Sequence, residues 1–160
     1  MERLAAWRVY LLDVVEVNAP PTVRLDHRKL VLCVRPGSDR GKRETVLYAW
    51  YRRQLKAQIP PLIAKWEPLV GVQVAGWRVK RMKTRWGTCN IQARRIWLNL
   101  ELSKKPPQCL EYIIVHEMVH LLERHHNERF CALMDQFMPN WRLYREILNR
   151  EPLAYEHWSY

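Results

Sequence analysis

The sequence predicts an α+β fold, a small antiparallel β-sheet packed against helices within one domain spanning 1–160. Three observations predict it. The N-terminal quarter is rich in β-branched and aromatic residues, in short runs separated by turn residues. From about Arg43 the apolar residues change to helical spacing, which returns through much of the C-terminal half. No long Gly/Ser stretch or internal repeat divides the 160 residues, a length sufficient for one domain with a real core. The chain accordingly parses into a β meander over 1–40, a broken helical pair over 41–70 and a core carrying the site over 71–160.

The meander runs from Arg8 to Val17, continues through TVRLDH and ends in KLVLCVRP, with turns at Asn18–Pro21 and Asp26–Arg28. Pro36, Gly37 and Ser38 close it. Val46, Leu47, Trp50, Leu55 and Ile59 then mark a helix that Pro60 and Pro61 should interrupt, because an interior proline removes a backbone hydrogen bond and crowds the preceding turn. Pro61 is suited to begin a second piece through Ile63 and Trp66 to about Leu69. Trp50, Leu55 and Trp66 read as core packing. Gly71–Gly76 reads as a turn with a short strand. Trp77–Lys83 and Arg95–Leu100 are β-prone runs joined by a loop holding Gly87, Thr88, Cys89 and Asn90. Pro106 and Pro107 suit the first turn of a helix reaching about Glu123. Asn127 can cap the next helix, which has Glu128 in its first turn and Phe130, Leu133, Met134 and Phe137 on its apolar face. A last helix follows Pro139, with Leu143, Ile147 and Leu148 inward, and Pro152 ends it before a tail containing Tyr155, His157 and Trp158.

Within the helix that starts near Pro107, His116, Glu117 and His120 stand in the order HExxH. Residues four apart lie one turn apart on nearly the same face, so both imidazoles can reach a single point, as a zinc ion requires. Ile113, Ile114, Val115, Met118, Val119, Leu121 and Leu122 make this helix apolar on almost every side. Its histidines and carboxylate are therefore buried and need partners. A divalent cation satisfies both histidines at once, and Glu117, about 100° round the helix from His116, can act on a water molecule. His125 and His126 are both candidates for a third ligand. No glycine lies between His120 and His126, so the HExxHxxGxxH turn is absent and the chain must turn another way. The carboxylate of Glu123 or Asp135 could orient a ligand imidazole, although surface polar roles are the simpler reading, and His157 is not counted as a ligand.

VHEMVHLLERHHNERF resembles the active helix and following turn of the YgjP-like metal-dependent hydrolases, relatives of the SprT-like zinc metalloproteases. RMKTRWGTCN, from Arg81 to Asn90, resembles that family's RWGSC segment, RRIWLNLEL its following strand, and KKPPQCLEYIIVHE its approach to the metal. The likeness spans Trp77 to Trp158. It implies a zincin-like fold in which Zn²⁺ is held by His116, His120 and His126, the last matching an NHSxxF-like corner with His125 at the family's asparagine position. It further implies a β element lining the substrate cleft, whose edge an extended peptide could pair with, and marks Arg85 and Trp86 as substrate-binding candidates. The additional N-terminal β segment common in relatives is not recognisable here.

A formal charge of +11 and a pI near 9.9 favour polyanions or anionic substrates. No acidic residue lies between Glu67 and Glu101, whereas Arg78, Lys80, Arg81, Lys83, Arg85, Arg94 and Arg95 are interleaved with Trp77, Trp86 and Trp97. That pattern suits bound nucleic acid or phosphates, and it equally suits a solvated basic face. Lys83 joins Arg85 as a cation for a nucleotide's phosphates. No apolar run can span a bilayer, and Met1–Leu12 lacks the features of a signal peptide, so a cytoplasmic location is expected. Cys33, Cys89, Cys109 and Cys131 form no CxxC pair and indicate neither a zinc ribbon nor a disulfide framework. Cys89, without a histidine nearby in sequence, reads as a packed thiol.

Together these features point to a zinc-dependent hydrolase of metallopeptidase type, with His116, His120 and His126 on Zn²⁺ and Glu117 as general base. Its substrate is a peptide or a nucleotide, the latter because YgjP-like proteins have also been assigned nucleoside-triphosphate (UTP-type) pyrophosphatase activity. A rival from another class is a nucleic-acid-associated binding module with a structural zinc. Glu117 weighs against that rival, since a structural site needs no base.

Overall fold

The structure is a computed structural model describing residues 11–27 and 29–150. The start of the first predicted strand run, Arg8–Tyr10, and the tail with Tyr155, His157 and Trp158 lie outside the described residues.

Two three-stranded sheets share one topology. In the first, β1 (Leu11–Glu16), β2 (Thr22–Asp26) and β3 (Lys29–Val34) are ordered β1-β3-β2. β2 and β3 form an antiparallel hairpin in which Asp26 pairs with Lys29, while β1 runs parallel to β3. The predicted meander is thus corrected. β3 is the most apolar strand of the three, with Leu30, Val31, Leu32 and Val34 buried, and it takes the centre, where both backbone edges are paired. In the second sheet β4 (Gly76–Lys80), β5 (Gly87–Asn90) and β6 (Arg95–Asn99) are ordered β4-β6-β5, with β4 parallel and β5 antiparallel to β6. Both small sheets are therefore mixed, within the α+β class. Gly87–Asn90, expected as a loop, is an edge strand, because pairing with β6 overrides the weak β preference of Gly and Asn. Asn90 Oδ1 accepts a hydrogen bond from the Ala93 amide at 3.0 Å in the turn back to β6.

The helical pair expected to break at Pro60–Pro61 is one helix, α1 (Arg40–Val70). Asp39 caps it by accepting from the Lys42 amide at 2.8 Å, and Gly71, at φ 78, ends it in the left-handed region that glycine enters without strain. It stays continuous because Pro60, Pro61 and Pro68 are exposed, as are Lys56, Ala57 and Ala64 four residues before them. The carbonyls left without an intrahelical donor therefore face water. The opposite face buries Trp50, Leu55, Ile59, Ile63, Trp66 and Val70, as the sequence reading of three of these residues expected.

A short 3₁₀ helix, Leu100–Lys104, leads into α2 (Pro107–Val119), followed by α3 (Glu128–Phe137) and α4 (Trp141–Arg150). Pro107 occupies the first turn of α2, where its missing N–H costs nothing. α2 is the central rod: it contacts α1, α3, α4, β5 and β6, and all its residues from Tyr112 to Val119 are buried. Polar anchors at its rim fix its orientation. Glu111 accepts hydrogen bonds from Lys65 Nζ (2.8 Å) and Trp66 Nε1 (3.1 Å), tying α1 to α2. Asp135 accepts from Trp141 Nε1 at 2.8 Å and from Arg142, tying α3 to α4, so it is a structural link and no partner of a histidine ring. All four cysteines are free. Among the described residues, no helix is long and apolar enough to cross a membrane.

Candidate metal centre

α2 ends at Val119, one residue short of the second histidine of the motif, and the chain tightens. His120 keeps a helical conformation, and Leu121 and Leu122 bond back to Met118 and Val119 at 3.0 and 2.9 Å, three residues earlier. The turn that follows is built around Glu123 in place of a glycine. Its carboxylate accepts from the His125 amide (3.3 Å), Asn127 Nδ2 (3.0 Å) and Arg129 Nη1 (3.1 Å), which hold that carboxyl below its ordinary pKa, the His125 amide most strongly. Asn127 then caps α3 by accepting from the Phe130 amide at 3.0 Å, as its side-chain chemistry predicts.

This corner swings His126 back to the helix. Ring nitrogens of His116, His120 and His126, one from each, lie within 4.8 Å of one another, and the Nε2 atoms of His116 and His126 are 3.2 Å apart. Two nitrogens bound tetrahedrally to zinc at 2.0–2.1 Å are separated by about 3.3 Å. His120 Nδ1 donates to the Glu123 carbonyl at 3.1 Å, so its Nε2 carries the lone pair. That contact is made by the Glu123 main chain; its carboxylate, the group nominated from sequence to orient a ring, is taken up by His125, Asn127 and Arg129 instead. Burial depresses the pKa of all three rings, His126 to about 4, with neighbouring positive charge from the other histidines or Arg85 adding to it. The rings are neutral at physiological pH and present lone pairs, so the donor set fits a divalent cation. His126 sits at the exposed end of the cluster, and His125, also exposed, is not part of it.

Phe130 was read from sequence only as part of the apolar face of α3. Its ring centroid lies 4.9, 4.7 and 4.9 Å from those of His116, His120 and His126, so one buried side chain packs against all three imidazoles. Glu117 is 2% exposed, and burial pushes its carboxyl pKa up to about 8, opposed by the charge of Arg85. Without a cation at the histidines this carboxyl is therefore mostly protonated at neutral pH, and the charge of a bound cation would draw it toward the ionised form that accepts a proton. Cys89 faces the same region, but burial, and then the Glu117 charge, push its thiol to about 12, so it is no thiolate nucleophile.

The basic segment is divided by the fold. Arg85 is exposed, and its charge acts on both Glu117 and His126. Lys83 is exposed in the same loop, with no contact to the histidines among the described residues. Trp86, nominated from sequence for substrate binding, is 2% exposed and packs in the core. Trp97 is half-buried on the outer face of the second sheet under Lys80 Nζ (4.6 Å) and Arg78 (5.9 Å).

A profile of the YgjP-like metallopeptidase domain matches residues 7–151. The chain belongs to the YgjP-like family. That match extends the likeness well upstream of Trp77, into the first sheet, and makes the chain a member of a metal-dependent hydrolase family. Among curated proteins none matches the sequence. A solved structure, the crystal structure of the metallopeptidase zymogen of Pyrococcus abyssi abylysin, is similar at 22% identity and a TM-score of 0.49, covering 56% of this chain and 88% of that one.

Asn99 was missed by the sequence reading, although a lone polar residue in the run IWLNLEL was its signal. It is fully buried. Its Nδ2 donates to the carbonyls of Met82 (2.9 Å) and Arg85 (2.7 Å), and its Oδ1 accepts from the Glu101 amide (3.0 Å). It therefore sets where this YgjP-like chain holds Arg85. Asn99→Leu should cost about 3 kcal/mol, because it leaves two carbonyls unpaired beside a side chain of similar size. Thermal unfolding checks the stability loss, and a Tm within a degree of wild type would refute the anchoring role.

Proposed function

We propose that this protein is a zinc-dependent peptidase in which His116, His120 and His126 hold the ion and Glu117 is the general base. The observation that carries the proposal is the convergence of three neutral imidazoles at the end of the helix that buries Glu117. Zinc, when bound, supplies Lewis acidity that lowers the pKa of water to about 7 and polarises the scissile carbonyl. Glu117 takes the proton of the attacking water on a carboxylate oxygen and then delivers it to the leaving amine. Phe130 holds the imidazole planes, and the Glu123 carbonyl keeps the proton on His120 Nδ1. Arg85, whose main-chain carbonyl is held by Asn99, offers its exposed guanidinium to negative charge developing on the carbonyl oxygen. The edge of β5 left unpaired in its sheet offers main-chain donors and acceptors to an extended substrate.

A nucleotide pyrophosphatase using the same residues is the less favoured reading. A triphosphate calls for several converging cations, and of the two nominated from sequence only Arg85 acts on Glu117 and His126. A structural-zinc module is disfavoured by the buried, elevated carboxyl of Glu117. Metal analysis after zinc loading tests the ligand set. About one zinc per chain is expected, with His116→Ala, His120→Ala and His126→Ala each losing most of it and His125→Ala retaining it. Zinc lost from His125→Ala and kept by His126→Ala would overturn the assignment of the third ligand. The loaded protein should cleave unstructured peptides. Cleavage of nucleoside triphosphates alone would replace the peptidase reading.

A further inference from the structure

Two neighbouring cavities share Ile91, Leu121 and Leu122 in their lining, and His120 lines one of them, so together they are taken as a groove beside the histidines. The nearer, of about 630 Å³, is lined by Cys89, Asn90, His120 and Arg124 and floored by Ile91, Leu121 and Leu122. The farther, of about 760 Å³, shares that apolar floor and ends at Gly71 and Arg94. Each has the size of a ligand pocket. Their shared floor is aliphatic, and each contributes one arginine that the other lacks. Neither Arg94 nor Arg124 forms an ion pair among the described residues. The one carboxylate lining the groove, Glu67, accepts from the Val74 amide at 3.1 Å, a neutral donor that cancels no charge, so the two arginines outnumber the acidic groups two to one. Arg94 is held at φ 51, in the turn between β5 and β6, with its carbonyl bonded to the Ala75 amide at 2.8 Å. Its backbone is thus fixed at the groove's end.

We propose that this groove selects extended peptide segments that place an apolar side chain on Ile91, Leu121 and Leu122 and an acidic side chain against Arg94, with Arg124 favouring acidic residues nearer the scissile bond. This rests on the peptidase reading above and adds its substrate class. His120 links the groove to the metal centre, the edge of β5 left unpaired in its sheet lies alongside, and two guanidiniums against one carboxylate favour a passing strand with acidic side chains.

The test uses zinc-loaded full-length protein and matched quenched-fluorescence peptides that differ only in Asp, Ala or Lys at successive positions flanking a leucine. At one or more positions Asp should exceed Lys in kcat/KM by roughly fivefold, the scale of a partly exposed ion pair, with the difference carried by KM. Arg94→Glu should invert the ratio at the position farther from the scissile bond and Arg124→Glu at the nearer. Lys56→Glu, which makes the same charge change on the solvent side of α1, should leave the ratios unchanged. Peptide cleavage without charge preference, or a preference that survives both arginine reversals, overturns this proposal and leaves the peptidase reading intact. Failure of the zinc-bound protein to cleave any peptide overturns both.

Discussion

Glu117→Gln is expected to lower hydrolysis by at least about 10²-fold, the scale of general acid–base catalysis, while zinc content stays near one per chain. The substitution keeps size and hydrogen-bonding atoms but removes the basic carboxylate. The three imidazoles gathered at 4.8 Å do not include it, so the ligand set survives. Stability gives a second readout, in the metal-free protein. With a folded pKa near 8 against an ordinary value of 4.5, Glu117 binds its proton more tightly when folded. Its contribution is therefore fully present below about pH 4.5 and is lost as pH rises through 8. Glutamine has no such titration. The variant should gain Tm relative to wild type as pH is raised from 5 to 9, and a parallel pair of Tm curves would show that burial does not perturb this carboxyl. Wild-type rates in the variant would remove Glu117 from the mechanism altogether.

What could be read from the sequence was what depends on local geometry. The four-residue spacing of His116 and His120, the all-round apolarity of their helix and the capping chemistry of Asn127 are each decided within one or two turns of chain. The features that escaped are decided by distant partners. Whether Pro60 and Pro61 break α1 depends on whether their turn faces water, which no local pattern states. β1 lies beside β3 because β3 is the strand worth burying, a competition among all three strands. Trp86 belongs to the core although its neighbours Arg85 and Gly87 adjoin the site, and tryptophan alone does not distinguish the two settings. Likewise, the Glu123 carbonyl that fixes the His120 tautomer, and Asn99 beneath Arg85, act through contacts that form only once the corner and the sheet are built.

Gly87→Ala should be the most damaging small substitution outside the histidines and Glu117. Gly87 lies on β5 where α2 crosses the sheet, and a Cβ there would stand 2.7 Å from Ile113 Cγ2, 2.9 Å from Glu117 Oε1 and 3.1 Å from Glu117 Cγ. Ile113 is fully buried within α2, so it cannot swing away, and one added methyl must either push the strand off the helix or turn the carboxylate. Overpacking of this kind costs roughly 1–3 kcal/mol. The effect on rate should be larger than the effect on stability, because a displacement of about 1 Å at a reacting group can cost 10²-fold. We expect kcat to fall by that order with zinc retained, since neither clash involves a histidine. Ile113→Ala in the same chain separates the two contacts: it removes the steric conflict with Cγ2 and should recover Tm relative to the expected sum of the single substitutions. It leaves the conflict with Glu117 in place, so kcat should stay low. Full kcat in Gly87→Ala, or joint recovery of Tm and kcat in the double variant, would show that the glycine serves packing alone and that the carboxylate does not need the space it leaves.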